Sequence, residues 1–167
     1  MSDWSAQFAI DHEMYVKSTE AIQTIKSNVF DDDLIERSLV DLRNLWKKSP
    51  KSRQMIIVEF GYVDTLLGCL KNADEGVVLN ACLALEVLLT PASGKDGVKT
   101  VENLIDVMVR HGAMTSISTQ IRVEGNTDIK KAALKLLTKF LNPSSSSLKQ
   151  LVQDEIKRQK IVSYCAS

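Results

Sequence analysis

The sequence predicts an all-α protein built from stacked repeats of helices. Apolar residues recur at spacings of three and four along most of the chain, which is the pattern of helices with one buried face. No stretch sustains the period-two alternation of a β-strand, and the only hairpin-type dipeptide, Asp96-Gly97, has polar flanks. Three long helical stretches share one apolar pattern, which begins at Leu34, Val77 and Ile129. Self-similarity at roughly 40–47 residues predicts a helical solenoid.

The bulk composition is that of a single globular domain. The chain has 167 residues, of which 44% are hydrophobic and 25% are charged, so it is long enough to bury a core. The formal net charge is zero, which argues against a general binder of polyanions. The charge is unevenly spread, however, because residues 126–160 hold eight Lys and Arg against three Asp and Glu. We therefore predict one domain, residues 1–167, with a basic C-terminal region.

Cysteine content and hydropathy indicate an intracellular protein. The three cysteines, Cys69, Cys82 and Cys165, form an odd set without a Cys-x-x-Cys spacing, so we predict reduced thiols rather than a disulfide framework. Charged residues interrupt the N-terminal stretch, so we expect no apolar region of a signal peptide there. The longest apolar run is far short of the ~18 residues that a bilayer-spanning helix needs. We expect a cytoplasmic location, with a nuclear one possible.

The N-terminal segment, residues 1–29, is predicted to be a capping helix laid against the rest of the protein. Spacings of four and seven place five residues on one face: Trp4, Phe8, Tyr15, Ile22 and Val29. A coiled-coil or partner-binding helix is the alternative, because an aromatic edge of this kind must be covered by something.

Three consecutive carboxylates, at residues 31–33, favour a helix start over a metal site. Asp31 can accept from the free N–H groups of the next helix, and its neighbours complement the positive end of the helix dipole. Phe30 and Ile35 then occupy the positions of a hydrophobic staple. A calcium loop would need alternating oxygen ligands and a glycine, which this stretch lacks.

The first repeat helix is predicted to bury Leu34, Ser38, Leu42 and Leu45. Ser49-Pro50 predicts the start of the next helix, with serine as the cap and proline in the first turn. That helix, over residues 51–60, is predicted to end at Gly61, which would form a corner in the left-handed conformation.

The remaining sequence repeats this order of helix, corner, helix, turn and long helix. The predicted segments are a helix over 62–70, a helix over 74–89, a loop insertion over 90–100, a helix to a second corner at Gly112, a helix to a break at Gly125-Asn126, a helix over 127–141, and a C-terminal helix and tail over 144–167. The two later long helices are predicted to bury Val77, Ala81, Leu85 and Leu88, and Ile129, Ala133, Leu137 and Phe140.

Two stretches carry a resemblance to the armadillo repeat family. NADEGVVLNACLALEVL (72–88) resembles the third helix of that repeat, and EFGYVDTLLGCL (59–70) resembles the corner between its first two helices. The resemblance covers about residues 31–141, the repeat core. It implies a right-handed α-solenoid of three-helix repeats, about two complete and others partial, with capping helices at both ends. The related HEAT repeats share this construction and remain an alternative.

The resemblance also implies a binding groove, because armadillo third helices line a concave surface that holds peptides or partner helices. The positions that match this groove are Arg37, Val40, Asn44, Asn80, Leu83, Val87, Lys131, Ala132, Lys135 and Lys139. Asn44 matches the asparagine that binds peptide backbone in importin-type repeats, but Val87 and Lys139 replace it in the other two repeats. We expect a groove that is polar at one end, apolar in the middle and positive at the other. Alternatively, the lysines merely solvate a helix face.

We predict a non-enzymatic protein-interaction module, an adaptor, scaffold or co-chaperone-like regulator that binds an acidic-hydrophobic segment. Only His12 and His111 are available as imidazoles, and no spacing fits a zinc site or a catalytic triad, so we expect no catalytic residue, metal or cofactor. One alternative is nucleic-acid or anionic-membrane binding through the basic C-terminal region, where stacking aromatics are scarce. Another is self-association through the solenoid ends.

Overall fold

A computed structural model of the chain describes residues 3–57, 60–92, 94–122, 125–141, 143 and 146–159, without the side chains of residues 3, 4, 57, 60, 146 and 147. Within these residues the protein is all helical, as predicted, with nine α-helices and no β-strand. The helices are α1 (Asp3–Ser27), α2 (Asp32–Lys48), α3 (Pro50–Ile57), α4 (Phe60–Cys69), α5 (Glu75–Leu88), α6 (Lys95–Arg110), α7 (Ala113–Arg122), α8 (Thr127–Thr138) and α9 (Ser146–Gln159).

Helices pack against the helix three places later in the chain. This holds for α1 on α4, α2 on α5, α3 on α6, α5 on α8 and α6 on α9. Successive helices such as α2 and α3, α4 and α5, or α7 and α8 also pack together. Contacts thus recur with a period of three helices in five of the six such pairs, and α4 with α7 is the exception.

Helices α2, α5 and α8 correspond to the three long stretches of the predicted repeats and are called the long helices below. They begin with the same cap. In each case a side-chain oxygen accepts a hydrogen bond from the backbone N–H three positions later: Asp31 from Leu34 (3.1 Å), Asp74 from Val77 (3.0 Å) and Asn126 from Ile129 (3.0 Å). Such caps satisfy donors that have no partner within the helix. The predicted cap at Asp31 is confirmed, and the caps set the register in which the three helices correspond.

Hydrogen bonds also join the starts of neighbouring long helices. The Asn72 amide donates to Oδ1 of Asp32 over 3.2 Å, and the Asn126 amide donates to Oε2 of Glu75 over 2.9 Å. Asp32 and Glu75 are the first residues of α2 and α5. The turn before each later helix is thus tied to the first turn of the preceding long helix.

Ser49 caps the start of α3, as predicted, and also connects this helix to α1. Its hydroxyl oxygen accepts from the backbone N–H of Ser52 (3.1 Å), and the hydroxyl donates to Oδ1 of Asp11 (2.7 Å). Asp11 and Ser49 are both buried. This bond joins α1 to the junction between α2 and α3, and α1 packs against α2, α3 and α4.

The predicted apolar face of α1 is only partly buried. Ile22 is fully buried and Tyr15 packs against the core, but Phe8 is 61% exposed and Val29 is 58% exposed. The side chain of Trp4 lies outside the described residues. The prediction is wrong at Phe8, because the N-terminal half of α1 leaves its apolar side chains exposed, and at Val29, because the helix ends at Ser27.

The hydrophobic staple predicted between Phe30 and Ile35 does not form. Ile35 is buried, but Phe30 is 99% exposed and therefore packs against no neighbour. Asp31 alone supplies the capping interaction of this turn.

The buried face of α2 is rotated from the predicted one. Ser38 and Leu42 are buried, but Leu34 and Leu45 are only half-buried. The core instead receives Ile35, Leu39 and Trp46. The predicted faces of α5 and α8 are confirmed, since all eight of their residues are buried.

Gly61 does not form the predicted corner. It lies inside α4, where its carbonyl accepts from the Thr65 hydroxyl as in a continuous helix. Residues 58 and 59, between α3 and α4, lie outside the described residues. Gly112 and Gly125 do have positive φ angles, of 83° and 112°, so these two predicted breaks are confirmed.

The connection between α5 and α6 is shorter than the predicted loop over residues 90–100. Helix α6 begins at Lys95 after Gly94, whose φ angle is 97°, so residues 95–100 are helical. Gly97 is buried in the first turn of α6 beside the backbone of Ala92. At the C-terminal end, Leu148 and Val152 of α9 are buried as expected, and residues 160–167 lie outside the described residues.

Candidate protein-binding groove

The candidate groove is the outward surface of α2, α5 and α8. Helix α5 packs against α2 and against α8, so the three helices lie in the order in which they occur in the chain. Their matching caps place equivalent residues at equivalent heights. One turn of each helix therefore contributes to each level of the surface.

Nine of the ten predicted groove residues retain some solvent contact. Arg37, Asn44, Lys131 and Lys135 are exposed, while Val40, Asn80, Leu83, Val87 and Lys139 are half-buried. Ala132 is the exception, because it is buried beside Ala133 in the core face of α8. The outward position on this turn of α8 is occupied by Lys131 instead.

Leu83 and Val87 form the apolar middle of this surface. Both pack partly against the core from α5 while remaining half-buried. They lie one helical turn apart, so their side chains point to the same side of the helix. An apolar strip of this size can receive a few apolar side chains of a partner.

The junction between α2 and α5 is held by Glu36, Asn80 and Gly76. The Asn80 amide donates to Oε1 of Glu36 (3.2 Å) and to the carbonyl oxygen of Gly76 (2.8 Å). Both donor hydrogens of this amide are thus used within the protein. Asn80, although it is a predicted groove residue, therefore has no amide hydrogen left for a partner.

The α2 end of the surface is acidic rather than merely polar. A shallow depression there is lined by Asp33, Glu36, Arg37, Val40 and Asp41. The three carboxylates were absent from the predicted set, although Asp33 and Asp41 stand four residues on either side of Arg37. That spacing places Asp33, Arg37 and Asp41 on one side of a helix, so the sequence could have revealed these two aspartates.

The α8 end of the surface is basic. Lys131 and Lys135 are exposed one turn apart, with the half-buried Leu134 beside them. The ion pairs in the described part of the chain join Lys17 with Glu13, Arg110 with Asp106, and Arg158 with Glu155, so they leave the α8 lysines unneutralised. Leu134 is a further apolar residue that the prediction missed.

The other basic residues of the C-terminal region lie on a separate helix. Lys149 and Lys157 are exposed on α9, which packs against α6 and α7. Arg158 on the same helix pairs with Glu155 at 2.6 Å. The basic region of the sequence is thus divided between α8 and α9.

The groups that could carry chemistry have structural surroundings. Cys69 and Cys82 are buried free thiols, and burial raises their pKa values to about 11 and about 12. His111 ends α6, as predicted, with its backbone N–H bonded to carbonyls of that helix. Among the described residues, no three His, Cys, Asp or Glu side chains gather as metal ligands. None of the helices in this part of the chain has the length and apolarity to cross a membrane. Cys165 lies outside the described residues.

The chain matches no protein-family model, no curated protein and no solved structure.

Proposed function

We propose that the chain is a short armadillo-like solenoid that acts as a non-enzymatic protein-interaction module, an adaptor, scaffold or co-chaperone-like regulator. The three-helix period of the packing supports this proposal, as do the matching caps at Asp31, Asp74 and Asn126. Solenoids of this kind offer an extended surface to partners because each repeat contacts only its neighbours.

The distribution of charge across the groove is the observation that carries the proposal. Carboxylates line the α2 end, Leu83 and Val87 form the middle, and Lys131 and Lys135 stand at the α8 end. A partner segment with apolar side chains followed by acidic ones would cover the middle and the basic end together. Electrostatic complementarity of this kind sets orientation and association rate.

A pair of synthetic peptides tests the groove directly. The first is a short fluorescein-labelled peptide in which Leu and Phe are followed by Asp and Glu, and the second has Lys in place of the acidic residues. We expect fluorescence anisotropy to detect binding of the first peptide and much weaker binding of the second. Capture of natural partners can then be compared between wild-type and variant protein.

The informative variant is Lys131→Glu/Lys135→Glu, because both lysines are exposed and the reversal leaves the core intact. We expect it to weaken binding of the acidic peptide by about tenfold or more, which corresponds to about 1.4 kcal/mol. The control is Lys95→Glu/Lys99→Glu, which reverses two exposed lysines on α6. Equal affinity in wild type and the α8 variant, or an equal loss in both variants, would overturn the groove assignment.

A further inference from the structure

One side of α8 lacks the neighbour that covers the same side of α2 and α5. In the register set by the caps, Ile35, Leu39 and Trp46 of the first repeat correspond to Val78, Cys82 and Leu89 of the second, and all six are buried. The same positions in the third repeat are Lys130 and Leu134, within α8, and Leu141, three residues after the end of α8. Lys130 and Leu134 are half-buried, and Leu141 is 41% exposed.

The difference follows from the order of the helices. Helix α5 packs on α2 and helix α8 packs on α5, whereas the principal contacts of α8 within the described part of the chain are with α5 and α7. We call Lys130, Leu134 and Leu141 the open flank of α8. It is an apolar pair with a cation at one end, and it is distinct from the outward groove positions Lys131 and Lys135.

A second feature of the chain has complementary chemistry. Between α1 and α2, Val29 is 58% exposed and Phe30 is 99% exposed, and Asp31, Asp32 and Asp33 follow directly. We call residues 29–33 the acidic tip. Aromatic side chains commonly supply much of the binding energy of an interface when they enter a partner. The tip therefore combines an apolar anchor with neighbouring negative charge.

We propose that the acidic tip of one molecule binds the open flank of α8 on a second molecule of the same chain. Val29 and Phe30 cover Leu134 and Leu141, and the carboxylate of Asp33 faces Lys130. The contact joins two different surfaces, so each bound pair leaves one tip and one flank free, and association continues into chains unless the geometry closes a ring. This inference does not depend on the proposed groove.

Sedimentation velocity over a series of protein concentrations tests the contact. We expect the average mass of the wild type to rise with concentration, and to rise less at high salt because the charge pair is screened. Phe30→Ser and Leu141→Asp, both at exposed positions, should each remain monomeric. Phe8→Ser removes another exposed aromatic residue, 61% exposed on α1, and should associate like the wild type.

Mixing the two monomeric variants gives the sharpest result. Phe30→Ser keeps an intact flank and Leu141→Asp keeps an intact tip, so an equimolar mixture should form a dimer and stop there. Circular dichroism of each variant verifies that the helices are retained. A wild type that stays monomeric, association that survives Phe30→Ser, or a mixture that forms no dimer would each overturn the proposal. Loss of self-association with unchanged binding of the acidic peptide would separate this contact from the groove.

Discussion

The Asn80 amide in α5 donates a hydrogen bond to Oε1 of Glu36 in α2, with 3.2 Å between the two atoms. Gly76 makes room for this contact. A β-carbon at residue 76 would lie 2.5 Å from Oε2 of Glu36, closer than non-bonded atoms approach. The Glu36 carboxylate thus rests against bare backbone, and the junction between the first two long helices depends on the absence of a side chain at residue 76.

Gly76→Ala should have opposing effects that nearly cancel. Alanine favours a helix over glycine by about 0.8–1 kcal/mol, but the Glu36 carboxylate must move away and give up a hydrogen bond worth about 0.5–1.5 kcal/mol. In a Glu36→Ala background only the gain in helix propensity remains. Gly76→Ala should therefore raise the free energy of unfolding there by up to about 1 kcal/mol. Denaturant unfolding of the four proteins measures the coupling. An equal effect in both backgrounds would show that Glu36 does not constrain residue 76.

Gly97→Ala should be clearly destabilising. A β-carbon there would overlap the backbone carbonyl of Ala92, which cannot turn away as a side chain can. Forcing an atom into a packed site costs about 1–3 kcal/mol. Gly68 in α4 is the control, because it is exposed and a β-carbon there meets no atom within 4 Å. Gly68→Ala should leave the unfolding midpoint unchanged or raise it, and a similar loss in both variants would contradict this explanation.

Arg53→Met should destabilise the junction between α2 and α3. Nη1 of the buried Arg53 donates to the carbonyl oxygen of Trp46 over 2.6 Å, in the last turn of α2, where carbonyls lack partners within the helix. Leaving this buried acceptor unpaired should lower the free energy of unfolding by about 1–3 kcal/mol. Arg110→Met, which breaks an exposed pair with Asp106, should cost no more than about 1 kcal/mol. Equal losses of stability in Arg53→Met and Arg110→Met, measured by thermal or denaturant unfolding, would refute the capping role of Arg53.

Stability should fall at alkaline pH because of the buried thiols. Burial raises the pKa of Cys69 to about 11 and that of Cys82 to about 12, whereas an unfolded thiol ionises near about 8.5. The stabilisation that comes from keeping these thiols protonated is fully present below about pH 8.5. It is lost as pH rises toward the pKa values of the folded protein, because over that range only the unfolded thiols release protons. Denaturant unfolding at several pH values, in a Cys165→Ser background, should show a shallower decline for Cys69→Ala/Cys82→Ala. An unchanged pH dependence would exclude the thiols as its source.

Residues whose burial or capping follows from local spacing and local chemistry were predictable from the sequence. The apolar spacing of Val77, Ala81, Leu85 and Leu88 fixed the buried face of α5, and the cap at Asp31 followed from local chemistry. In α2, adjacent apolar residues such as Leu34 and Ile35 fit two faces equally well. The choice between these two faces depends on how α1 and α5 pack against α2. The spacing of residues within α2 carries no information about that packing.

Long-range packing also explains the other errors. Phe30 has the spacing of a hydrophobic staple, but no side chain lies where it could be covered. Gly61 has the conformational freedom to form a corner, yet a glycine can also remain in a helix at modest cost. In the candidate groove, the positions of Leu83 and Val87 were predicted from the resemblance to armadillo third helices. The use of Asn80 to bind Glu36 was not, because it depends on the register between two helices.

The packing of helices on near neighbours in the chain has a consequence for how the molecule opens. The principal contacts join elements no more than three places apart, so α1 and α9 do not hold each other in place. Loss of α9 removes contacts with α6 and α7 and leaves the α2–α5 contact untouched. Amide protons should therefore exchange with solvent first at the C-terminal helix and last in α5, which has long helices on both sides.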